Sequence, residues 1–145
     1  MKSSEIYDLP SHVVLGRYKS KMKTLMSIVL YDSLEQFNTK YRKHENMQIK
    51  NDEVKSIHCY MEYLINESDD RLHVEYLKQL CVWDNHDKTK LSLTYIKTFL
   101  TNVVAESIIR YTNLTGPVYN IEKLYEFCCI IINNITEINS DAIDM

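Results

Sequence analysis

The chain has 145 residues, enough for one domain that buries its own core without disulfides or metal. Its composition, 45% hydrophobic and 26% charged, excludes a disordered chain, and a formal charge of -3 gives no global basic field for nucleic acid. Only two glycines and two prolines occur, which argues against a β protein with many tight turns and for long helices.

Met1 to Pro10 is polar and lacks the apolar stretch of a secretory signal, and no apolar run reaches the length of a membrane span. Cys59, Cys81, Cys128 and Cys129 show no disulfide-framework spacing and read as reduced thiols of an intracellular protein. Sequons at Asn66, Asn113 and Asn134 carry no meaning without secretion.

In chain order, residues 1–11 read as a flexible lead-in, 12–139 as the helical domain and 140–145 as a tail. Ser11 can cap a short helical stretch with Val13, Val14, Leu15 and Tyr18, which Gly16 weakens. From about Lys21, Met22, Leu25, Met26, Val29, Leu30, Leu34, Phe37 and Tyr41 recur at three- and four-residue spacing and predict a long helix fading near His44. A second helix begins at Asn51 or Asp52, with Val54, Ile57, His58, Met61, Leu64 and Ile65 on its apolar side. Asn66 to Asp70 supplies a break and the next cap, and a third helix carries Leu72, Tyr76, Leu77, Leu80 and Cys81.

The fourth helix, from about Thr89 to Tyr111, places Ile96, Phe99, Leu100, Val103, Val104 and Ile108 together. Leu93, Ala105 and Ile109 widen that surface, so this helix is the candidate for a central position. Asn113 to Pro117 is the strongest break, with Gly at a helix end and Pro near the next start. The last helix, from about Tyr119 to Ile138, aligns Ile121, Leu124, Tyr125, Cys128, Ile131, Ile132 and Ile135. The expectation is an all-α bundle of five main helices with one or two short ones.

No catalytic, cofactor or metal site is announced. His58, Cys59, His73, Cys81 and His86 share the middle region without the paired spacing that zinc ligation requires. No nucleophile stands in a recognisable base-and-oxyanion signature, and the two glycines are too far apart for a phosphate loop. The chain reads as non-enzymatic. Two basic segments could contact phosphates: Arg17, Lys19, Lys21 and Lys23, then Lys40, Arg42 and Lys43, with Tyr18 or Tyr41 placed to stack on bases. The alternative for these is a solvated helix face. Trp83, the only tryptophan, can anchor a loop or serve a partner.

An apolar penultimate helix, no catalytic signature and an Asn-, Ile-, Lys- and Tyr-rich composition typical of AT-rich genomes resemble the viral Bcl-like proteins of large DNA viruses. The second helix and the residues after it carry Met61, Leu64, Ser68 and Asp69 at the offsets of that family's death motif, whereas Glu67 and Arg71 stand where apolar residues belong. The Asn-Trp-Gly-Arg signature of cellular relatives is absent, and Val82 to Asp84 does not replace it.

The resemblance implies a modulator of apoptosis or innate signalling in the host cytoplasm. Its partner would be a host pro-apoptotic or signalling protein whose amphipathic helix lies in a groove. The groove candidates are Met61, Leu64, Ile65, Leu72, Tyr76, Trp83, Phe99 and Leu100. Two alternatives stay open. Leu80-Cys81 with Lys90 to Leu93 resembles the core helices of filovirus-type transcription activators, a class with RNA or nucleoprotein contacts. Broad apolar faces also suit a homo-oligomeric scaffold, a homodimer in its simplest form.

Overall fold

The computed structural model describes the backbone of residues 12–73, 85–114 and 121–139, and the side chains of 15–73, 93–113 and 121–139. The 1–11 lead-in, the 140–145 tail, Tyr76, Trp83 and the Gly116-Pro117 break lie outside the described residues. Four long helices account for most of the described chain: α1 (His12–Lys40), α2 (Asn51–Asn66), α3 (Asn85–Leu114) and α4 (Ile121–Thr136). A 3-10 turn at Glu45–Met47 and a helical turn over 70–73 complete them, and no strand occurs among the described residues. The fold is an all-α bundle.

Helix α1 runs unbroken from His12 through Gly16 and joins the short stretch that Gly16 was expected to weaken to the long helix read from about Lys21. Glycine inside a helix costs about 1 kcal/mol relative to alanine. Leu15 and Tyr18, one on each side of it, are both buried, and each such burial contributes about 1.5–3 kcal/mol. Packing outweighs propensity here. The α1 stripe continues through Met22, Leu25, Met26, Val29, Leu30 and Phe37, all in the core.

Residues 41–50 turn the chain back along α1. Asn38 organises this turn, its Oδ1 accepting the Ile49 N–H at 2.8 Å and its Nδ2 donating to the Ile49 carbonyl at 3.0 Å. The amide thus pairs with Ile49 as a strand neighbour would and seats its side chain in the core. Helix α2 then starts after Lys50, whose backbone N–H is accepted by the Glu53 carboxylate at 3.0 Å. The helix thus begins at Asn51, where the sequence placed its start, with Asp52 inside the first turn. Val54, Ile57, Met61 and Ile65 form the buried side of α2, at the spacing read from sequence.

Cross-helix bonds fix the order and direction of the bundle. Lys19 of α1 reaches the end of α2, Tyr111 of α3 faces Glu53 at the start of α2, and Lys97 of α3 reaches Thr136 at the end of α4. Asn134 of α4 donates to the Ser33 hydroxyl of α1 at 2.8 Å, which closes the ring. Successive helices are antiparallel neighbours, and α1 and α4 adjoin. Helix α3 therefore packs on α2 and α4 as an equal member of the ring, with only slight contact to α1, and does not occupy a central position.

Candidate functional site

Of the residues expected to line a groove beside α2 and α3, Met61, Ile65 and Leu100 are fully buried, and Leu64 and Phe99 pack partly buried against the same core. Leu72 alone of the described candidates is well exposed, at 64%. Ser68 and Asp69, at death-motif offsets, are engaged within the chain. Asp69 Oδ1 accepts the Arg71 backbone N–H at 2.9 Å and caps the 70–73 turn, and the Arg71 guanidinium holds its carboxyl below the usual range.

The basic residues do not form one patch. The two groups lie at opposite ends of α1, about 30 Å apart at 1.5 Å per residue. Within the first group, Arg17 and Lys21 project from the side of the helix opposite Lys19 and Lys23. Lys19 and Lys23 also serve internal contacts. Lys19 Nζ donates to the carbonyls of Asn66 and Ser68, both at 3.1 Å, and pairs with Asp70 at 2.7 Å. Lys23 donates to Asn66 Oδ1 at 2.9 Å. These bonds satisfy carbonyls left open at the C-terminus of α2, where positive charge is also favoured by the helix dipole. At the other end, Lys40 pairs with Glu126 at 3.7 Å, while Arg42 and Lys43 are exposed.

Beside Lys19 lies a polar cluster that sequence reading missed. His73 is completely buried, ringed edge-on by Tyr18 and Phe99 at centroid distances of 5.3 and 5.2 Å. The Ser68 hydroxyl donates to the Ile65 carbonyl at 2.7 Å, so its oxygen accepts from His73 Nε2, 2.8 Å away. His73 Nδ1 lies 2.9 Å from the Tyr95 hydroxyl. A neutral imidazole with its proton on Nε2 and Nδ1 accepting from Tyr95 matches these distances. Burial pushes its pKa below the ordinary value, Lys19 adds to this, and Asp70 and Asp69 oppose it. All polar atoms of the ring are satisfied, so the cluster works as a joint between α1, α2, the 70–73 turn and α3.

Among the described residues no three of His, Cys, Asp and Glu gather as metal ligands. The Tyr31 hydroxyl meets His58 Nδ1 at 3.3 Å on the α1–α2 surface, above a shallow depression bordered by Ser27, Ile28 and Glu62. Cys59 and Cys129 are exposed free thiols, and burial raises the Cys128 thiol above its usual pKa. No helix among the described residues is long and apolar enough to cross a membrane.

The most unusual surface lies on α3 and α4. In α4 the core takes Leu124, Phe127, Ile131 and Ile135, and this turns Ile121 and Tyr125 outward, against expectation, to 66% and 72% exposure. Cys128 and Ile132 continue the same stripe, partly buried, on the side of α4 toward α3. The Lys97 ammonium bonded to the Thr136 carbonyl fixes the register, so Thr101, Ala105, Ile109 and Thr112 run alongside this stripe. Ile109 is 52% exposed and completes the apolar group.

Charged side chains border this face as well. Lys97 of α3 bridges to the Thr136 carbonyl of α4, exposed Glu106 stands one turn before Ile109, and Arg110 covers the Tyr63 ring of α2. On α4, Lys123 pairs with Glu53 at 3.0 Å and Glu126 bonds Tyr41, both away from α3. Exposed Glu122 borders the stripe beside Ile121. The comparisons with known proteins add no relative: no family model, curated protein or solved structure matches the chain.

Proposed function

We propose that the protein is a non-enzymatic interaction module whose binding surface is the α3–α4 face. The observation that carries this reading is the exposure of Ile109, Ile121 and Tyr125 on neighbouring helices. Scattered exposed apolar side chains are ordinary, but an apolar group that includes an exposed aromatic residue has the composition of an interface core. The narrower expectation, an apoptosis modulator holding an amphipathic helix between α2 and α3, requires Met61, Ile65 and Leu100 to leave the core. The α3–α4 face needs no such rearrangement.

The reading is tested with the triple variant Ile109→Ser, Ile121→Ser, Tyr125→Ser and an amphipathic helical peptide of Leu, Ala and Thr as probe. The wild-type chain is expected to bind the peptide and the variant to lose binding with its fold intact by circular dichroism. Undiminished binding by the folded variant contradicts the assignment.

A further inference from the structure

The turn that joins α1 to α2 and the first turn of α4 border an open cleft of about 570 Å³. Lys43, Lys50 and Lys123 line it together with His44, and Glu45 is the one carboxylate in its wall. Three cations against one anion is a local excess of positive charge on a chain whose formal charge is -3.

The three lysines are not equivalent. The Lys123 side chain is only 12% exposed, and its ammonium donates to the Gln48 carbonyl at 3.3 Å and to Glu53 at 3.0 Å. It is a fixed cation whose ordering is complete before any ligand arrives. Glu53 does not make the cleft acidic, because its carboxylate is taken by that ammonium and by the Lys50 backbone N–H at 3.0 Å. Lys43 and Lys50 are exposed, and among the described residues no carboxylate pairs with either.

From this arrangement we infer that the cleft binds a compact phosphate-bearing anion, at a site separate from the α3–α4 face. Ammonium groups gathered without enough carboxylates repel one another, and an anion placed between them relieves that repulsion. Phosphate oxygens are acceptors for the lysine N–H donors, and each such bond is strengthened by charge on both sides. The other basic group of α1 lies about 30 Å away, so no continuous basic track leads a nucleic-acid backbone between the two. A short oligophosphate needs only the one cleft.

Titration calorimetry of the full chain with tripolyphosphate at low ionic strength reads this directly. The expected result is saturable binding that weakens with added salt and falls at least about tenfold in the double variant Lys43→Glu, Lys50→Glu. Arg17→Glu with Lys21→Glu, at the far end of α1, changes the net charge equally and should leave the affinity within about twofold. Circular dichroism establishes that both variants are folded. Amide shifts of the wild-type chain with tripolyphosphate should centre on 43–50 and 121–123.

No binding up to about 1 mM tripolyphosphate overturns the inference. So does an equal loss in the two double variants, because the attraction would then be one of net charge. Amide shifts centred elsewhere remove the site without reference to any variant. A single-stranded oligonucleotide that binds more tightly than tripolyphosphate through the same lysines overturns the compact ligand.

Discussion

The Tyr95 hydroxyl lies 2.9 Å from Nδ1 of the buried His73 imidazole. Protonation would place a cation among Tyr18, Phe99 and the Lys19 ammonium, with Asp70 and Asp69 as the opposing charges. The unfolded chain takes up that proton near pH 6.5 while the native state resists it.

Stability should therefore be fully present above about pH 6.5 and fall as pH drops below it, with a slope of at most about 1.4 kcal/mol per pH unit from this one group. The carboxylate held by Arg71 acts in a separate window, below its ordinary value of 3.8. Urea unfolding at pH 7.5 and 5.5 measures the first window. His73→Phe, which keeps an aromatic ring in the site, should flatten the difference; an unchanged slope would assign it to other groups.

Lys19 and Asp70 should differ in importance although they form one ion pair. Lys19 is mostly buried at its side chain and also bonds the carbonyls of Asn66 and Ser68, whereas Asp70 is 54% exposed. Lys19→Ala leaves open carbonyls at the end of α2 and should cost about 1–2 kcal/mol. Asp70→Asn should cost less than about 1 kcal/mol, as expected for an exposed partner. Equal losses in denaturant unfolding would mean that the ion pair, and not the carbonyl contacts, holds this junction.

Two substitutions should stabilise the fold. A Cβ added at Gly16 meets nothing within 4 Å, so Gly16→Ala should gain about 0.5–1 kcal/mol from helix propensity alone. The Ser107 hydroxyl is buried without a hydrogen-bond partner among the described residues. Ser107→Ala should accordingly be neutral or stabilising by up to about 1 kcal/mol. Leu100→Ala, one side chain away in the same core, should lose about 2–5 kcal/mol. Thermal midpoints of the three variants check this ordering.

The Asn38 clasp on Ile49 should be expensive to break. Removing the amide by Asn38→Ala leaves the Ile49 N–H and carbonyl without their partner and loosens a buried side chain, at a cost of about 2 kcal/mol. Asn38→Asp keeps the acceptor and loses the donor, and should fall between the two in chemical denaturation.

The helices were legible because their apolar period of 3.6 residues is a local signal. Val54, Ile57, Met61 and Ile65 of α2 fall where it places them. The joining of the first short stretch to the long helix was not legible, because the weakness of Gly16 is a local signal, whereas the burial of Tyr18 depends on residues far along the chain. His73 went unrecognised for a related reason: neighbouring Leu72 is the apolar residue, yet the turn exposes Leu72 and buries the imidazole, which only Ser68 and Tyr95 together make tolerable.

The candidate face was hidden by abundance. Apolar residues cover so much of α4 that the pattern includes Ile121 and Tyr125 in the core stripe. Only the positions of α1 and α3 decide that Leu124, Phe127, Ile131 and Ile135 face inward instead. The basic residues show the converse, since two segments of like composition lie at opposite ends of a long helix, and the first is divided between opposite sides of it.

The central claim is that binding belongs to the α3–α4 face and not to a groove between α2 and α3. Backbone amide shifts of the isotope-labelled chain, followed from dilute to concentrated solution and then with the Leu/Ala/Thr peptide, map the surface directly. The account expects the perturbed amides to cluster within 98–113 and 121–133, centred on Ile109, Ile121 and Tyr125. Changes centred instead on Met61, Ile65 and Leu100 would contradict it, because they would mean that the core opens to receive the partner.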